Sequence, residues 1–344
     1  MRVLDTRNIR KILVRATNWI GDAVMTTPAL GAVRRAFPDA RIVLAANPPV
    51  AELMKSHPWC DVVIVYDKKG RDAGWRGLYR FSRKLAAERF DLAILFQNAI
   101  EAAVMARLAG IGRRAGYATD GRRFLLTHSV RVPRDPHRFH QVYYYLHMLG
   151  GLGLEAGGHK LCLGLTEEEK DWAGRLLGPG KWAAINPGAA YGSAKKWYPD
   201  RFAGVADRLV SDYGYRVVLL GGPGEAGLGS EIESAMRAPV LNMAGRTSIR
   251  QVMAVLNAAD LVISNDSGPM HVAAAFDRPV VALFGPSLHL AAYPFCSRYR
   301  VVRKPVECAP CLKRQCPKGH HRCMDEISVE DVLAAVDDLA GESV

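Results

Sequence analysis

The chain has 344 residues, 49% of them apolar and 23% charged, with a formal net charge of +12. That length exceeds one ordinary core and suits two domains of about 150 residues each, and the composition is globular, neither fibrous nor disordered. Apolar runs all fall short of the roughly 18 residues a membrane span needs. The basic start MRVLDTRNIR leads into a strand without a small-residue cleavage site, so a cytoplasmic protein is expected.

The charge is uneven. Residues 1–150 carry 25 Lys/Arg against 12 Asp/Glu, and the remainder carries 21 against 22. Either the first half meets something anionic, such as phosphorylated lipid or a membrane face, or it is a merely solvated basic surface. Nucleic acid is disfavoured, because aromatics do not interleave with the basic residues and no nucleic-acid motif is present.

In chain order, the first strand is expected over residues 11–15. It runs into Asn18-Trp19-Ile20-Gly21-Asp22 and then a helix over about 23–37 that contains Pro28. Pro28 marks a fresh helical start, which would leave Asp22 in a constrained loop at a strand's carboxyl end. Asp22 is either a helix cap, worth about 1 kcal/mol, or a general base at the mouth of an inter-domain cleft. One glycine stands where a dinucleotide fingerprint needs three, which disfavours a Rossmann cofactor site.

Further strands are expected at 41–45, 61–65, 91–96 and 113–117, with helices at 50–56, 75–88 and 100–108 between them. The strands are continuous apolar runs, as in a parallel sheet covered on both faces. Basic loops at Lys68-Lys69-Gly70-Arg71, Arg113-Arg114 and Arg122-Arg123 are candidates to line a groove for an anionic acceptor. A helix over 135–149 carries Tyr143, Tyr144 and Tyr145, which cannot all face one way.

A glycine-rich stretch, GGLGLEAGG, and an acidic helix follow. The domains are therefore expected at 1–160 and 181–326, with a linker and connecting helix at 161–180 and a terminal helix, 327–344, crossing back to the first domain. The second domain opens with a strand at 182–186. Its next loop, PGAAYGSAKKW, brings Lys195 and Lys196 to a strand end, where a phosphate-bearing ligand would suit them; a solvated loop is the plainer reading. A strand at 216–220 leads to Gly221-Gly222-Pro223-Gly224-Glu225, with Glu225 either capping the next helix or holding ligand hydroxyls.

The most informative stretch is VISNDSGPMHVAAAFDRPVVALFGP, residues 262–286. A buried strand meets the turn Asn265-Asp266-Ser267-Gly268, which opens a helix and then a second buried strand. Ser267 and Gly268 are the expected donors to an anion, with Asp266 or His271 beside a neutral hydroxylated group. The plainer alternative has Asn265 and Asp266 only capping the helix and His271 as an ordinary core residue.

Cys60, Cys162 and Cys296 are scattered, whereas Cys308, Cys311, Cys316 and Cys323 form C-x2-C-x4-C-x6-C with His320 and His321 inside it. A structural Zn²⁺, an iron–sulfur cluster, a reductively labile disulfide pair or free thiols all satisfy that spacing. Four thiolates would leave no open coordination position, so any metal there is structural and the reaction needs no cofactor from it.

KILVRATNWIGDAVMTTPAL, INPGAAYGSAKKWYP, VVLLGGPGE and NDSGPMHVAAAFDRPVVALFGPS occur in this order along nearly the whole chain. Together they resemble the lipopolysaccharide heptosyltransferases, glycosyltransferase family 9. The resemblance implies an α/β GT-B fold, two Rossmann-like doubly wound domains facing across a cleft, and metal-independent inverting transfer. The implied donor is ADP-L-glycero-β-D-manno-heptose, and the implied acceptor is a phosphorylated lipid A–Kdo–heptose at the inner face of the inner membrane. Asp22 matches the family's general base and Lys195 its lysine near the diphosphate, with Lys196 able to share that role. Glu225, Asp266, Ser267, Gly268 and His271 complete the implied donor site, and Asn18, Arg71, Arg113 and Arg122 the acceptor site. A relative adding the first or a later core heptose fits the same motifs, and a non-catalytic membrane-surface binding protein is the alternative of another class.

Overall fold

The computed structural model describes residues 3–155 and 157–341. Two compact units divide the chain, Met1–Gly164 and Leu165–Val344.

In the first unit the strands are β1 (Lys11–Arg15), β2 (Arg41–Ala46), β3 (Val62–Val65), β4 (Leu92–Leu95), β5 (Arg113–Tyr117) and β6 (His128–Val130). The helices are α1 (Ile20–Met25), α2 (Thr27–Ala36), α3 (Pro48–Leu53), α4 (Gly74–Ala87), α5 (Ile100–Leu108) and α6 (Gln141–Gly150). All strand pairs are parallel, in the order β3-β2-β1-β4-β5-β6. Ile12, Leu13 and Val14 of the central β1 are fully buried, as a strand covered on both faces requires. Only β6, three residues reading HSV, escapes the sequence pattern, because it is too short to show a period.

The helix expected over 23–37 is two helices. The Thr26 hydroxyl donates to the Ala23 carbonyl at 2.7 Å and the Thr27 hydroxyl to the Val24 carbonyl at 2.7 Å. Pro28, which has no N–H, sits in the first turn of α2, where none is needed. The break therefore falls after Met25, and Asp22 lies in the first turn of α1, not in a loop.

The second unit repeats the plan with β7 (Trp182–Asn186), β8 (Arg216–Leu219), β9 (Val240–Asn242), β10 (Leu261–Asn265), β11 (Val280–Leu283) and β12 (Tyr299–Val302). Its helices are α7 (Glu167–Leu177), α8 (Pro199–Ser211), α9 (Ala226–Ala235), α10 (Ile249–Ala258), α11 (Gly268–Ala275), α12 (His289–Ala292), α13 (Arg322–Asp325) and α14 (Val329–Gly341). The parallel order is β12-β11-β10-β7-β8-β9. Counted from each unit's first strand, both sheets run 3-2-1-4-5-6, the doubly wound order whose ligand crevice opens where the winding reverses. That point lies between β1 and β4 in one sheet and between β7 and β10 in the other.

Two expectations about the termini of the second unit change. The acidic helix α7 is not a free linker. Thr166 and Glu169 close a capping box at its start, and Glu169 also accepts from the Arg250 guanidinium on α10 at 2.7 Å. The terminal helix α14 buries Val332, Leu333, Val336 and Leu339 in the same core as Phe202 and Leu209 of α8 and Val302 of β12. Its apolar stripe is thus committed to the second unit, where a crossing back to the first domain was expected.

The Arg250 hydrogen bond, chiefly, holds the Glu169 carboxyl below its ordinary range. A lowered carboxylate pKa adds stability above the unfolded pKa and loses it as the pH falls through the folded value. Glu169→Ala is expected to cost about 1–2 kcal/mol in urea unfolding at pH 7, because it removes a cap and one charged partner of a largely buried guanidinium. The difference from wild type should shrink below pH 4.

Candidate functional site

At the reversal point of the second sheet, two asparagines end adjacent strands. Asn265, fully buried at the end of β10, donates from Nδ2 to the Pro187 carbonyl at 2.7 Å, and its Oδ1 accepts from the Trp197 amide at 3.3 Å. It clamps both ends of the loop 187–197. Asn186, at the end of β7, donates to the Ser267 hydroxyl at 3.1 Å and the Gly188 carbonyl at 3.3 Å. The residue in the N-cap position of α11 is Ser267, and its side chain makes no capping bond. Simple capping by Asn265 or Asp266 is therefore not what this turn does.

The loop so clamped carries Lys195 to the turn. Its amine lies 2.5 Å from Oδ2 of Asp266, which is only 6% exposed. The amine also stands 5.1 Å from the centre of the Tyr191 ring. An ammonium has three donors, so the bond to Asp266 leaves two for an anion. Gly268 opens α11 beside this pair, His271 is buried three residues further on, and Lys196 is half-buried next to Lys195.

Glu225 reaches the same place from the end of β8. Its Oε2 accepts from the Gly222 amide at 2.8 Å and closes the turn before α9, while its side chain makes no capping bond to α9 itself. A Cβ at Gly188 would lie 1.9 Å from its Oε1, so the carboxylate rests directly on the backbone after β7. An alanine at 188 would push that carboxylate aside.

The cysteine segment braces this loop, a link the sequence does not reveal. The Ala194 amide donates to the Arg314 carbonyl at 3.0 Å, the Tyr191 hydroxyl to the Leu312 carbonyl at 3.2 Å, and His321 Nε2 lies 2.8 Å from the Ala194 carbonyl. Gly192 fits because a Cβ there would come within 2.2 Å of the Arg314 carbonyl oxygen. Cys308, Cys311, Cys316 and Cys323 border one small cavity with His320 and His321. The His321 amide, 3.4 Å from the Cys316 sulfur, is the largest influence holding that thiol below its ordinary range. Burial pushes the Cys323 thiol up to about 11. Among the described residues, however, no three His, Cys, Asp or Glu side chains stand in an arrangement that holds a metal ion.

In the first unit, Asp22 is half-buried in α1, just past the carboxyl end of β1. Burial first, and then the charge of Asp22, push the Tyr145 hydroxyl of α6 well above the phenol range. Asn18 is tied down nearby. Its Oδ1 accepts from Arg15 at 3.2 Å and its backbone carbonyl from the Asn47 side chain at 2.8 Å. Arg15 is itself buried, and burial pushes its pKa down to about 10.

The three arginines expected to meet an acceptor separate. Arg71 is exposed but donates to the Val65 carbonyl at 2.9 Å and faces Asp72 at 3.3 Å. Arg113 opens β5 and therefore lies at the amino end of the parallel sheet, opposite the edge that carries Asp22. Arg122 is 0% exposed, donating to the Tyr117 carbonyl at 2.9 Å, to the Gln97 carbonyl and to Asn98 Oδ1 at 3.2 Å. It is a strut between loops, not a ligand contact. Sequence marks it only as one of two adjacent basic residues, and only the fold shows which one turns inward.

The family model of glycosyltransferase family 9 (heptosyltransferase) matches residues 78–321. The lipooligosaccharide heptosyltransferase 2 of Campylobacter jejuni is 29% identical over 341 residues, covering 97% of this chain and 99% of that protein. The crystal structure of a family 9 glycosyltransferase from Veillonella parvula aligns with a TM-score of 0.89 at 27% identity, covering 99% of both chains. The Escherichia coli ADP-heptose lipopolysaccharide heptosyltransferase II structure aligns at 0.80 and 27%, covering 97% of this chain and all of that one.

Gly188→Ala should dislodge the Glu225 carboxylate from the Gly222 amide. The expected outcome is faster hydrogen exchange at Gly222 and about 1 kcal/mol lower stability, matched by Glu225→Ala and not increased in the double variant.

Proposed function

The chain belongs to glycosyltransferase family 9, and from that premise we propose that it is an inverting transferase. It moves L-glycero-D-manno-heptose from ADP-heptose to the first heptose of the lipopolysaccharide inner core. The observation that carries this reading is the Lys195–Asp266 pair beside the start of α11, at the winding reversal of the second sheet.

The ADP diphosphate takes the two remaining donors of Lys195 and the amides that open α11, with Lys196 adjacent. Asp266 faces the transferred heptose, where a carboxylate accepts hydrogen bonds from sugar hydroxyls while holding the lysine. Glu225 lies toward the nucleotide. The acceptor hydroxyl attacks the anomeric carbon from the face opposite ADP, its proton passes to the Asp22 carboxylate, and the anomeric C–O bond to ADP breaks. Charge gained by the leaving diphosphate is met by Lys195 and the helix amides, which act more strongly on the transition state than on the bound donor. Asn18 and Arg71 are retained as acceptor contacts; buried Arg122 and distant Arg113 are not.

None of the described helices is long and apolar enough to cross a membrane. The basic first half supports peripheral attachment to an anionic membrane face, where a lipid-linked acceptor resides. The four cysteines are proposed to be structural and to hold one metal ion once their side chains rotate inward around the cavity they share, with no reaction step through it. Elemental analysis of protein purified without chelator is expected to give about one zinc or iron per chain. A Cys308→Ser/Cys311→Ser variant should lose that metal and melt several degrees lower, and metal-free wild-type protein would contradict the assignment.

Asp22→Ala is expected to lower kcat by roughly 10²–10⁴-fold while ADP affinity, measured by calorimetry, stays within about twofold. Lys195→Ala should weaken ADP binding as well as turnover. Acceptors truncated one sugar at a time identify the accepting heptose. Transfer is expected only when the first heptose is present, and equal transfer to an acceptor ending in Kdo would contradict the stated position.

A further inference from the structure

Among the described residues, nine of the twelve exposed large apolar side chains belong to the first unit, which is also the basic one. Single exposed apolar residues are ordinary, but a connected group of them is not. Here four stand on the loops and helix starts that follow the carboxyl ends of three strands. Trp75 (73% exposed) and Tyr79 lie one turn apart at the start of α4 after β3, Ile100 opens α5 after β4, and Phe124 (77% exposed) sits in the turn after β5.

Polar contacts tie these three places into one rim. Lys68 in the loop after β3 pairs with Glu101 at the start of α5. The Ile100 amide donates to the Asp120 carboxylate at 2.7 Å, and the Thr119 hydroxyl donates to the Asn98 carbonyl at 3.1 Å. Buried Arg122 fastens the turn that presents Phe124 to the loop before α5. The apolar residues on α4's other side, Phe81 and Leu85, are buried in the core, whereas Trp75 and Tyr79 are left exposed on its outward side.

The rim is cationic between its rings. Helix α4 contains Arg76, Arg80, Arg83 and Lys84 and no carboxylate, and Arg76 lies 5.6 Å from the centre of the Trp75 ring. Arg123 is exposed beside Phe124. The carboxylates nearby are engaged, Glu101 with Lys68 and Asp120 with the Ile100 amide. Amphipathic rings interleaved with cations match the boundary between anionic headgroups and acyl chains.

We propose that this rim seats the first unit on an anionic phospholipid bilayer. Trp75, Tyr79, Ile100 and Phe124 enter the headgroup–acyl boundary, and Arg76 and Arg123 lie against lipid phosphates. The inference rests on the reading that the acceptor is lipid-anchored, and it adds which edge faces the membrane. Asp22 follows the carboxyl end of β1 in the same parallel sheet, so the rim and the proposed base lie at one end of that sheet.

The test is co-sedimentation of full-length protein with vesicles of phosphatidylethanolamine and phosphatidylglycerol, and with neutral phosphatidylcholine vesicles. Wild type is expected to prefer the anionic vesicles. Trp75→Ser/Tyr79→Ser/Phe124→Ser should bind them at least about tenfold more weakly, with turnover of detergent-dispersed acceptor within about twofold of wild type. Leu290→Ser, an exposed apolar residue of the second unit, should change neither. A second readout is quenching of tryptophan fluorescence by bromolipids, most of which should vanish in Trp75→Phe. If wild type binds anionic vesicles and the triple variant binds equally well, or the quenching survives Trp75→Phe, this rim is not the docking edge and membrane attachment itself stands. If wild type ignores anionic vesicles, peripheral attachment fails and the rim proposal with it. Turnover in detergent still tests the transferase reading separately.

Discussion

Everything proposed for the second unit depends on how one ammonium is held. Lys195 bonds to a carboxylate that is almost wholly buried, at the point between two parallel neighbouring strands where the winding of the sheet reverses. A partly buried ion pair is weak evidence for stability, since desolvation offsets much of the attraction. Its use here is positional. Asp266 fixes the amine beside the opening of α11 while leaving it donors to offer. A flexible lysine would have to lose side-chain freedom on binding, and this one is already ordered before an anion arrives.

That order is maintained from both sides. Asn265 pins the two ends of the lysine loop to the strand that carries Asp266, and the cysteine segment supports the loop's middle through Ala194 and Tyr191. The segment therefore acts on the site through the backbone of the lysine loop. The first unit divides its labour differently. Its basic surface and exposed rings face outward, while Asn18, held by the buried Arg15 at the end of β1, and Asp22 follow the carboxyl end of that strand.

Much of this was legible in the residues. Continuous apolar runs such as KILVR and LVISN predict a doubly wound parallel architecture, and both sheets have it. The turn after β10 and the paired lysines predict an anion site at a strand end, and the fold brings Lys195 and Asp266 together there. What could not be read was direction. Arg113 and Arg122 look alike in sequence, yet one lies at the wrong end of its strand and the other points into the protein. The roles of Asn186 and Asn265 were hidden for the same reason, because their partners are about 80 residues away. The terminal helix was misplaced because an amphipathic stripe says that a helix packs, not on which sheet.

The most direct measurement is a structure of the protein bound to a non-hydrolysable ADP-heptose analogue. The account predicts phosphate oxygens about 3 Å from the Lys195 amine and from an amide at the start of α11, with Asp266 against the sugar. A diphosphate bound elsewhere, with Lys195 still engaged by Asp266 alone, would contradict it.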